Sequence, residues 1–377
     1  MIVQEIKVKD NKTRYILIDY DGTPIISANK FLKFKDNSGK ARNTLRAYCF
    51  HLSKYFDFLS QKELKYSDID GIGDIAEFMR WLQEPHRDLK ISTIHTPSRK
   101  LKFSTINTYI STVMEFYNYY SRIDSKYIEL YKNLVIDTSN WKRGYKDFLH
   151  HINKDKMFDG KYLKLREEKK NIIPLEKKQM MKLLDACTNQ RDYLLLRLLW
   201  ETGFRIGECM SLWLEDVVID ARIIDLKDRG ELINNAEIKT ITSPRRVNVT
   251  DDFINLYIDY IVDYHTDEID TNFVFFKLSG PNKGQPMEYQ DVDSLFKRLR
   301  KKTDLDVNPH LFRHTHFDAL RQQEGWDWAK IQKRGGWANV QTPMQTYSHP
   351  SDKEIRESWE LVEKNMSLKK ENFEDEQ

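Results

Sequence analysis

Two polar and charged segments, about a hundred residues apart, constrain the fold of this 377-residue chain more than any other feature. The first is Thr202–Glu208, with the sequence TGFRIGE, and the second is His310–His314, with the sequence HLFRH. Gly335-Gly336-Trp337 and then Tyr347 follow the second segment. These residue types can serve one reaction at a phosphodiester. We therefore predict a fold that brings them together at a single site.

The chemistry of a phosphodiester explains the choice of residues. Its anionic oxygens repel a nucleophile until they are neutralised, and the planar guanidinium groups of Arg205 and Arg313 can bind those oxygens in pairs. Tyr347 is the candidate nucleophile, and we expect its phenolate form to be favoured beside two guanidinium groups and an imidazole. Lys239 is the candidate acid that protonates the departing sugar oxygen.

In this order and spacing the residues resemble the tyrosine site-specific recombinases, or phage-type integrases, over roughly residues 40–350. The resemblance makes Arg205 the first catalytic arginine and makes His310 and Arg313 the His-x-x-Arg pair. Trp337 stands where members of that family carry His or Trp. Tyr347 matches the nucleophile. The nearest look-alikes are the integrase-like transposases of site-specific mobile elements.

Two further positions follow from the same resemblance. Glu208 falls at the acidic position that orients its neighbours in the family. The stretch Ala236–Val249 is similar to the β-hairpin that carries the catalytic lysine, which points to Lys239. Lys227 and Lys283 also lie near turns in this region, so they remain alternatives for the acid.

The chain departs from the family pattern at two points. Tyr347 follows Trp337 by ten positions, one more than the commonest spacing, and Gly335 stands where a leucine usually precedes the glycine. We interpret the longer interval as a subgroup trait. No other tyrosine follows Trp337, so Tyr347 has no rival as the nucleophile.

The resemblance implies a recombinase or transposase that cleaves and rejoins double-stranded DNA at specific sites through a 3′-phosphotyrosine, for integration and excision of a mobile element. A type IB topoisomerase, which relaxes DNA, and a non-catalytic site-specific DNA-binding protein are the alternatives. Neither a metal nor another cofactor is expected. His310, His314 and His316 could form a metal cluster, but no His-Glu-x-x-His motif and no suitably placed acidic partner accompanies them.

Composition agrees with these expectations without deciding between them. The chain has 61 Lys and Arg against 58 Asp and Glu, a net charge of +3, so the distribution of charge matters more than its sum. Basic runs at residues 297–302 and 161–178 suit phosphate contacts or a solvated helix face. Three scattered cysteines indicate a reducing compartment, and no apolar stretch suits a membrane span. We expect a cytoplasmic, nucleoid-associated protein.

The amino-terminal third is predicted to hold two parts. β-Branched segments at residues 2–8 and 13–19 indicate a small β appendage over residues 1–35. Residues 36–136 read as a helical, SAM-like core DNA-binding domain with helices over 44–59, capped by Thr44, and 104–120. DNA contacts are expected from the exposed sides and flanks of these helices, at the following residues: Arg42, Lys100, Lys102 and Asn107.

The rest of the chain is predicted to be a linker over 137–171, a catalytic domain over 172–350 and a tail over 351–377. Pro174 suits a helix start, and residues 217–226 and 246–250 look like strands. The fold class is thus mostly α with small β-sheets, in which the helical domain and the integrase-type catalytic domain close on DNA as a C-shaped clamp.

The tail carries a predicted amphipathic helix with apolar residues at Ile355, Trp359, Val362 and Met366. This helix could pack on its own domain or on a neighbouring subunit, and the family resemblance favours the neighbour. We accordingly expect a homotetramer on DNA and a monomer or weak oligomer when free. Accessory transposition proteins are further possible partners.

Overall fold

A computed structural model describes residues 1–8, 12–69, 71–83, 101–134, 164–167, 172–238 and 240–347, together with 355–356, 359–360 and 362. The chain divides into two compact units, Met1–Lys170 and Asn171–Gln377. No helix within the described ranges is long and apolar enough to cross a membrane. Lys100, Lys239, Met366 and nearly all of the predicted linker lie outside these residues.

The first unit begins with a β-hairpin, as predicted. Strand β1, Ile2–Lys7, pairs antiparallel with β2, Thr13–Ile18, and Ile2 lies opposite Ile18. Helix α1, Ile26–Asn37, follows; the prediction of a β unit omitted it. Leu17 and Phe31 are fully buried in the same core as the following helices. The first 35 residues are therefore packed into this unit and do not simply extend from it.

Four further helices are described in the first unit: α2 (Arg42–Gln61), α3 (Ile72–Gln83), α4 (Phe103–Ile123) and α5 (Lys126–Leu134). The two predicted helices are confirmed as α2 and α4, and most of their apolar stripes are buried. The prediction of Thr44 as the cap of α2 is wrong, because Ala41 is its N-cap. In the core the hydroxyl of Tyr117 donates to the Tyr66 carbonyl and lies 2.6 Å from the Tyr55 hydroxyl.

The expectation that Arg42 and Asn107 lie on exposed sides is wrong. Arg42 is 6 % exposed because it begins the stripe that continues through Leu45 and Cys49. Asn107 is 5 % exposed; its amide group donates to the Leu165 carbonyl and the Glu167 carboxylate and accepts from the Leu165 amide. Asn107 therefore fastens residues 164–167 to α4. Lys102, the N-cap of α4, is exposed as expected.

Eight helices are described in the second unit. They are α6 (Lys177–Asp185), α7 (Gln190–Thr202), α8 (Ile206–Met210), α9 (Asp251–Tyr264), α10 (Tyr289–Thr303), α11 (Pro309–Arg321), α12 (Trp328–Gly335) and α13 (Gln341–Tyr347). Helix α7 is the centre of the core, since Leu194, Leu195, Leu198 and Leu199 are each at most 1 % exposed. The predicted helix start at Pro174 is wrong by three residues, because Glu176 is the N-cap of α6.

One antiparallel sheet, in the order β3-β4-β5, lies in this unit. Its strands are β3 (Val217–Val218), β4 (Ile223–Leu226) and β5 (Arg245–Asn248). The single strand predicted over 217–226 is therefore two strands, and Arg222 turns the chain between them with φ 52°. Strand β5 ends before Thr250 because the hydroxyl of Thr250 caps α9.

The tail is described at only a few positions. Residues 355–356, 359–360 and 362 are helical, as the amphipathic pattern predicts. The side chains of Ile355, Trp359 and Val362 are 54 %, 56 % and 40 % exposed. These three apolar side chains are therefore about half exposed to solvent within the single chain.

Candidate active site

The turn between α7 and α8 positions the first arginine. Gly203 ends α7 in the left-handed conformation, with φ 63°, and a Cβ atom there would lie 2.7 Å from the His316 ring. Only glycine meets both conditions without strain. The turn places Arg205 at the N-cap of α8 and leaves the Gly203 carbonyl free to accept a hydrogen bond from Arg313 at 2.8 Å.

Glu208 binds Arg205 and a second arginine. Arg205 Nη1 donates to Glu208 Oε1 at 2.8 Å, and Arg245 donates to both carboxylate oxygens at 3.2 and 3.0 Å. Burial alone would raise the pKa of Glu208, but the charge and hydrogen bonds of Arg245, followed by the charge of Arg205, hold this pKa below its ordinary value. Glu208 is therefore an anion that is 1 % exposed and orients both guanidinium groups.

Arg245 is a buried residue of the site that was not among the predicted site residues. Its side chain is 6 % exposed, it donates to the Arg334 carbonyl at 2.6 Å, and its guanidinium lies 4.9 Å from the centre of the Phe204 ring. The alternation of β5 carried the signal, because Arg245 shares an inward face with Val247 while Arg246 and Asn248 are exposed. An inward-facing arginine requires a buried anion, and Glu208 is that anion.

Arg313 lies inside the unit, on α11. Its guanidinium donates to the Gly203 and Gly335 carbonyls at 2.8 and 2.7 Å, and the rings of Phe317 and Trp337 lie 4.9 and 4.3 Å from it. Burial first, and then the charge of Arg205, lower the pKa of Arg313 to about 9. Arg313 therefore remains a cation at neutral pH, and its orientation is fixed from four sides.

Arg205, His310 and Arg313 line one cleft of about 220 Å³. The other lining residues are Phe204, Ile206, Gly207, Glu237, Tyr289 and Pro309. Two guanidinium groups and an imidazole in the lining make this cleft suitable for a phosphate. The structure thus places these three predicted site residues in the lining of one cleft.

Tyr347 ends α13 and lies in an aromatic cluster. It is 6 % exposed, and its ring centre lies 5.4 Å from that of His314, 6.0 Å from Trp337 and 6.1 Å from Phe317. Burial raises the pKa of Tyr347 to about 12, although the charges of Arg313 and Arg205 lower it. The expectation of a favoured phenolate is wrong for this arrangement, because desolvation outweighs the two cations.

Trp337 connects this cluster to the cleft. It contacts Arg313 through its ring face, Phe317 at a centroid distance of 4.6 Å, and Tyr347. Neither Trp337 nor Tyr347 is among the described residues that line the cleft. The predicted set is therefore divided between the cleft and an aromatic cluster, and Arg313 belongs to both.

Lys239 lies outside the described residues, but its neighbours bind the site. Ser243 Oγ lies 2.8 Å from Thr240 Oγ1 and accepts from Arg205 at 3.4 Å, while Thr242 donates to the Gly336 carbonyl at 3.2 Å. The described residues on either side of Lys239 form no strand; they belong to the connection between β4 and β5. Residues 245–248 of the predicted hairpin form β5, which pairs antiparallel with β4, whereas residues 236–238 and 240–244 lie in the connection between these two strands.

The alternative lysines have acidic partners elsewhere in the second unit. Lys227 lies 3.5 Å from Asp216, and Lys283 lies 3.6 Å from Glu268. Neither lysine lines the cleft. Of the three candidate acids, Lys239 is the one whose neighbours in sequence contact Arg205.

The three histidines of α11 face different partners. The rings of His310 and His314 are 4.5 Å apart, whereas His316 bonds the Trp200 carbonyl through Nδ1 and accepts from Arg334 through Nε2. Burial, followed by the Arg334 charge, lowers the pKa of His316 to about 3. Across the described ranges, no three His, Cys, Asp or Glu side chains are grouped as metal ligands.

The basic run at residues 297–302 is partly used inside the unit. Arg298 pairs with the buried Asp192 at 2.9 Å. Arg300 and Lys302 donate to the Val307 and Ala186 carbonyls at 2.7 and 3.1 Å. These three side chains help to hold α10 in place, so the predicted phosphate contacts would fall to the exposed Lys297 and Lys301.

The chain is similar in sequence to several known proteins. Residues 174–354 match the phage integrase family. Transposase A from transposon Tn554 of Staphylococcus aureus is 36 % identical over 358 residues, which cover 94 % of this chain and 96 % of that protein. Tyrosine recombinase XerD of Staphylococcus saprophyticus is 23 % identical and covers 88 % of this chain and 96 % of its own.

The fold also matches a solved structure. The Tn1549 transposon integrase in complex with a circular intermediate DNA superposes with a TM-score of 0.60 at 19 % identity, covering 89 % of this chain and 99 % of that chain. The predicted class, mostly helical with small sheets and an integrase-type catalytic domain, is confirmed by this likeness.

Proposed function

Because this chain belongs to the phage integrase family of tyrosine recombinases, which break and rejoin DNA, we propose that it cleaves and rejoins specific double-stranded sites through a 3′-phosphotyrosine on Tyr347. The observation that carries the proposal is the single cleft shared by Arg205, His310 and Arg313. The DNA that the protein recombines would be a mobile element, which it would integrate and excise, in keeping with the transposase among its relatives.

The two arginines would bind the non-bridging oxygens of the scissile phosphate. Glu208 holds Arg205 in place through Nη1, and the Gly203 and Gly335 carbonyls hold Arg313. Fixed donors of this kind stabilise the charge that develops on a pentavalent phosphorus without reorganising during the reaction. His310, on the same wall, would supply a further polar contact to the phosphate.

The reaction balances without outside energy. Oη of Tyr347 gives up its proton to solvent and forms a bond to phosphorus, the bond from phosphorus to the 5′ oxygen breaks, and that oxygen leaves as a hydroxyl with a proton from Lys239, which solvent then reprotonates. A 5′ hydroxyl reverses these steps and restores the diester. Deprotonation of Tyr347 contributes to the barrier because its pKa is about 12, and the charges of Arg313 and Arg205 favour this step.

We further infer assembly on DNA as a tetramer of this chain. The apolar side chains of Ile355, Trp359 and Val362 are about half exposed, so they remain available to a neighbouring subunit. Exposed apolar groups on a helix are suited to bury against a complementary surface. Lys102 and the exposed helix sides of the first unit would contact the DNA backbone.

A nicked duplex from the DNA that flanks the gene tests the proposed function. Cleavage near the nick releases a short oligonucleotide and traps the covalent complex, which denaturing electrophoresis separates. We expect protein on the 3′ end and a free 5′ hydroxyl that a kinase can label. Recombinant products from two sites would distinguish recombination from topoisomerase activity. Relaxation of supercoils without such products, or binding without any adduct, would contradict the proposal.

A further inference from the structure

Gly335, the last residue of α12, lies directly beneath the indole of Trp337. A Cβ atom built on Gly335 would lie 1.8 Å from Cζ3 and 2.2 Å from Cε3 of that indole. Both distances are far shorter than van der Waals contact, and the indole ring supplies all three of the closest atoms. Any other residue at position 335 would therefore displace the ring of Trp337.

The backbone does not require glycine at this position. Gly336, in the left-handed conformation with φ 65°, makes the turn, whereas Gly335 is helical and is not among the glycines with positive φ. Glycine inside a helix costs about 1 kcal/mol relative to alanine. Its presence here is explained by the space that it leaves for the indole.

In that space the indole contacts both Arg313 and the candidate nucleophile, Tyr347. Its face lies 4.3 Å from the guanidinium carbon of Arg313, and its ring centre lies 6.0 Å from that of Tyr347. Arg313 also donates to the carbonyl of Gly335 at 2.7 Å. One short segment thus binds Arg313 through its main chain and covers it with its side chain.

We infer that Gly335 is a positioning residue: by lacking a side chain it allows Trp337 to lie on Arg313 and so fixes the guanidinium relative to Tyr347. Gly335 and Trp337 act as a coupled pair, and this pairing accounts for a glycine where the family usually has leucine. The inference rests on the proposed function, because the guanidinium and the tyrosine are assigned to its reaction.

Gly335→Ala tests the pair. Displacing an aligned group by about 1 Å can cost about a hundredfold in rate, so adduct formation on the nicked duplex should fall by that order while DNA affinity is retained. In a Trp337→Ala background the new methyl group meets no ring. Gly335→Ala should then cause less than about a twofold further loss, the limit expected where no interaction remains.

Gly73→Ala is the matched control. Gly73 is also a helical glycine outside the positive-φ set, and a Cβ atom there would meet nothing within 4 Å. Its replacement should leave adduct formation at the parent level. Equal loss from Gly335→Ala in the parent and Trp337→Ala backgrounds, or no loss in either, would overturn the coupling.

A second readout does not depend on activity. The contribution of Trp337 to the near-ultraviolet circular dichroism is the difference between two spectra, one of the protein with Trp337 and one of the same protein with Trp337→Phe. This difference is measured in the parent and in each glycine variant. We expect that contribution to be altered in Gly335→Ala and unaltered in Gly73→Ala. An unaltered contribution in Gly335→Ala would overturn the inference even if the parent formed no adduct, whereas a parent without adduct would count against the proposed function alone.

Discussion

Arg245 donates two hydrogen bonds to the carboxylate of Glu208, one to each oxygen, and both side chains are buried. Arg245→Ala would leave Arg205 as the remaining ion-pair partner of Glu208 within the described residues. Breaking a buried ion pair typically costs about 3 to 5 kcal/mol, so we expect a loss of this order in the free energy of unfolding. Urea denaturation of the second unit measures it.

Arg246→Ala is the control for this prediction. Arg246 is the next residue on β5, its side chain is 74 % exposed, and it lies 3.5 Å from Asp225. Exposed pairs contribute less than about 1 kcal/mol, so the stability of this variant should be close to that of the parent. Equal effects of the two substitutions would show that Arg245 does not support Glu208.

The two arginines that bind the phosphate, Arg205 and Arg313, and the candidate acid, Lys239, should respond differently to substitution. Removing one fixed donor typically lowers a rate by about a hundredfold or more, so Arg205→Ala and Arg313→Ala should each nearly abolish cleavage. Lys239→Ala should also be slow on ordinary DNA. A bridging 5′-phosphorothiolate, whose sulfur leaves without a proton, should restore cleavage by Lys239→Ala alone. Rescue of all three variants, or of none, would assign the acid to another residue.

The free energy of unfolding of the second unit should decrease as the pH is lowered, in part because of His316. The pKa of His316 is lowered from 6.5 to about 3 by burial and by Arg334, so the unfolded chain binds its proton at a higher pH than the folded chain does. Between pH 7 and 5 the unfolded state therefore takes up more protons, and unfolding becomes easier as the pH falls. A group with this shift contributes up to about 1.4 kcal/mol for each pH unit below 6.5.

His316→Asn removes this titration. The slope of unfolding free energy against pH should be shallower in the variant over pH 7 to 5, a range above the ordinary pKa of Glu208. The variant also loses hydrogen bonds to Trp200 and Arg334, so its stability should be lower throughout. An unchanged slope would show that His316 does not couple folding to protons.

The sequence motifs pointed to three residues that the structure places at one cleft. Arg205 lies more than a hundred positions before His310 and Arg313. One reaction needs all three residues, and all three line the same cleft. Patterning likewise predicted α2, α4 and the first hairpin, because buried stripes leave a period in the sequence. Such inferences depend on chemistry or on local geometry alone.

The features that the sequence did not predict depend on packing between distant segments of the chain. The apolar periodicity around α4 predicts an exposed Asn107, because it cannot show that residues 164–167 return to bury this side chain. The pKa of Tyr347 depends on the rings of α11 and Trp337 that bury it. This burial raises the pKa by more than the charges of Arg313 and Arg205 lower it. Contacts between distant segments of this kind leave no pattern along the chain.

The exposed apolar helix of the tail leads to a prediction about assembly. Cutting the chain after Ser351 removes Ile355, Trp359 and Val362, whose side chains are about half exposed within the single chain. The melting temperature of the free protein should therefore change little, whereas pairing of two DNA sites, measured by light scattering, should be lost. A truncated protein that melts much lower and still pairs sites would show that the helix packs on its own domain.

The most direct measurement is the covalent adduct formed by Tyr347→Phe on the nicked duplex. The phenylalanine ring preserves the packing against His314 and Trp337, so the variant should fold and bind site DNA like the parent. Lacking the hydroxyl, it should form no adduct under conditions in which the parent does. An adduct of parental yield in Tyr347→Phe would contradict the assignment of the nucleophile and with it the account of the site.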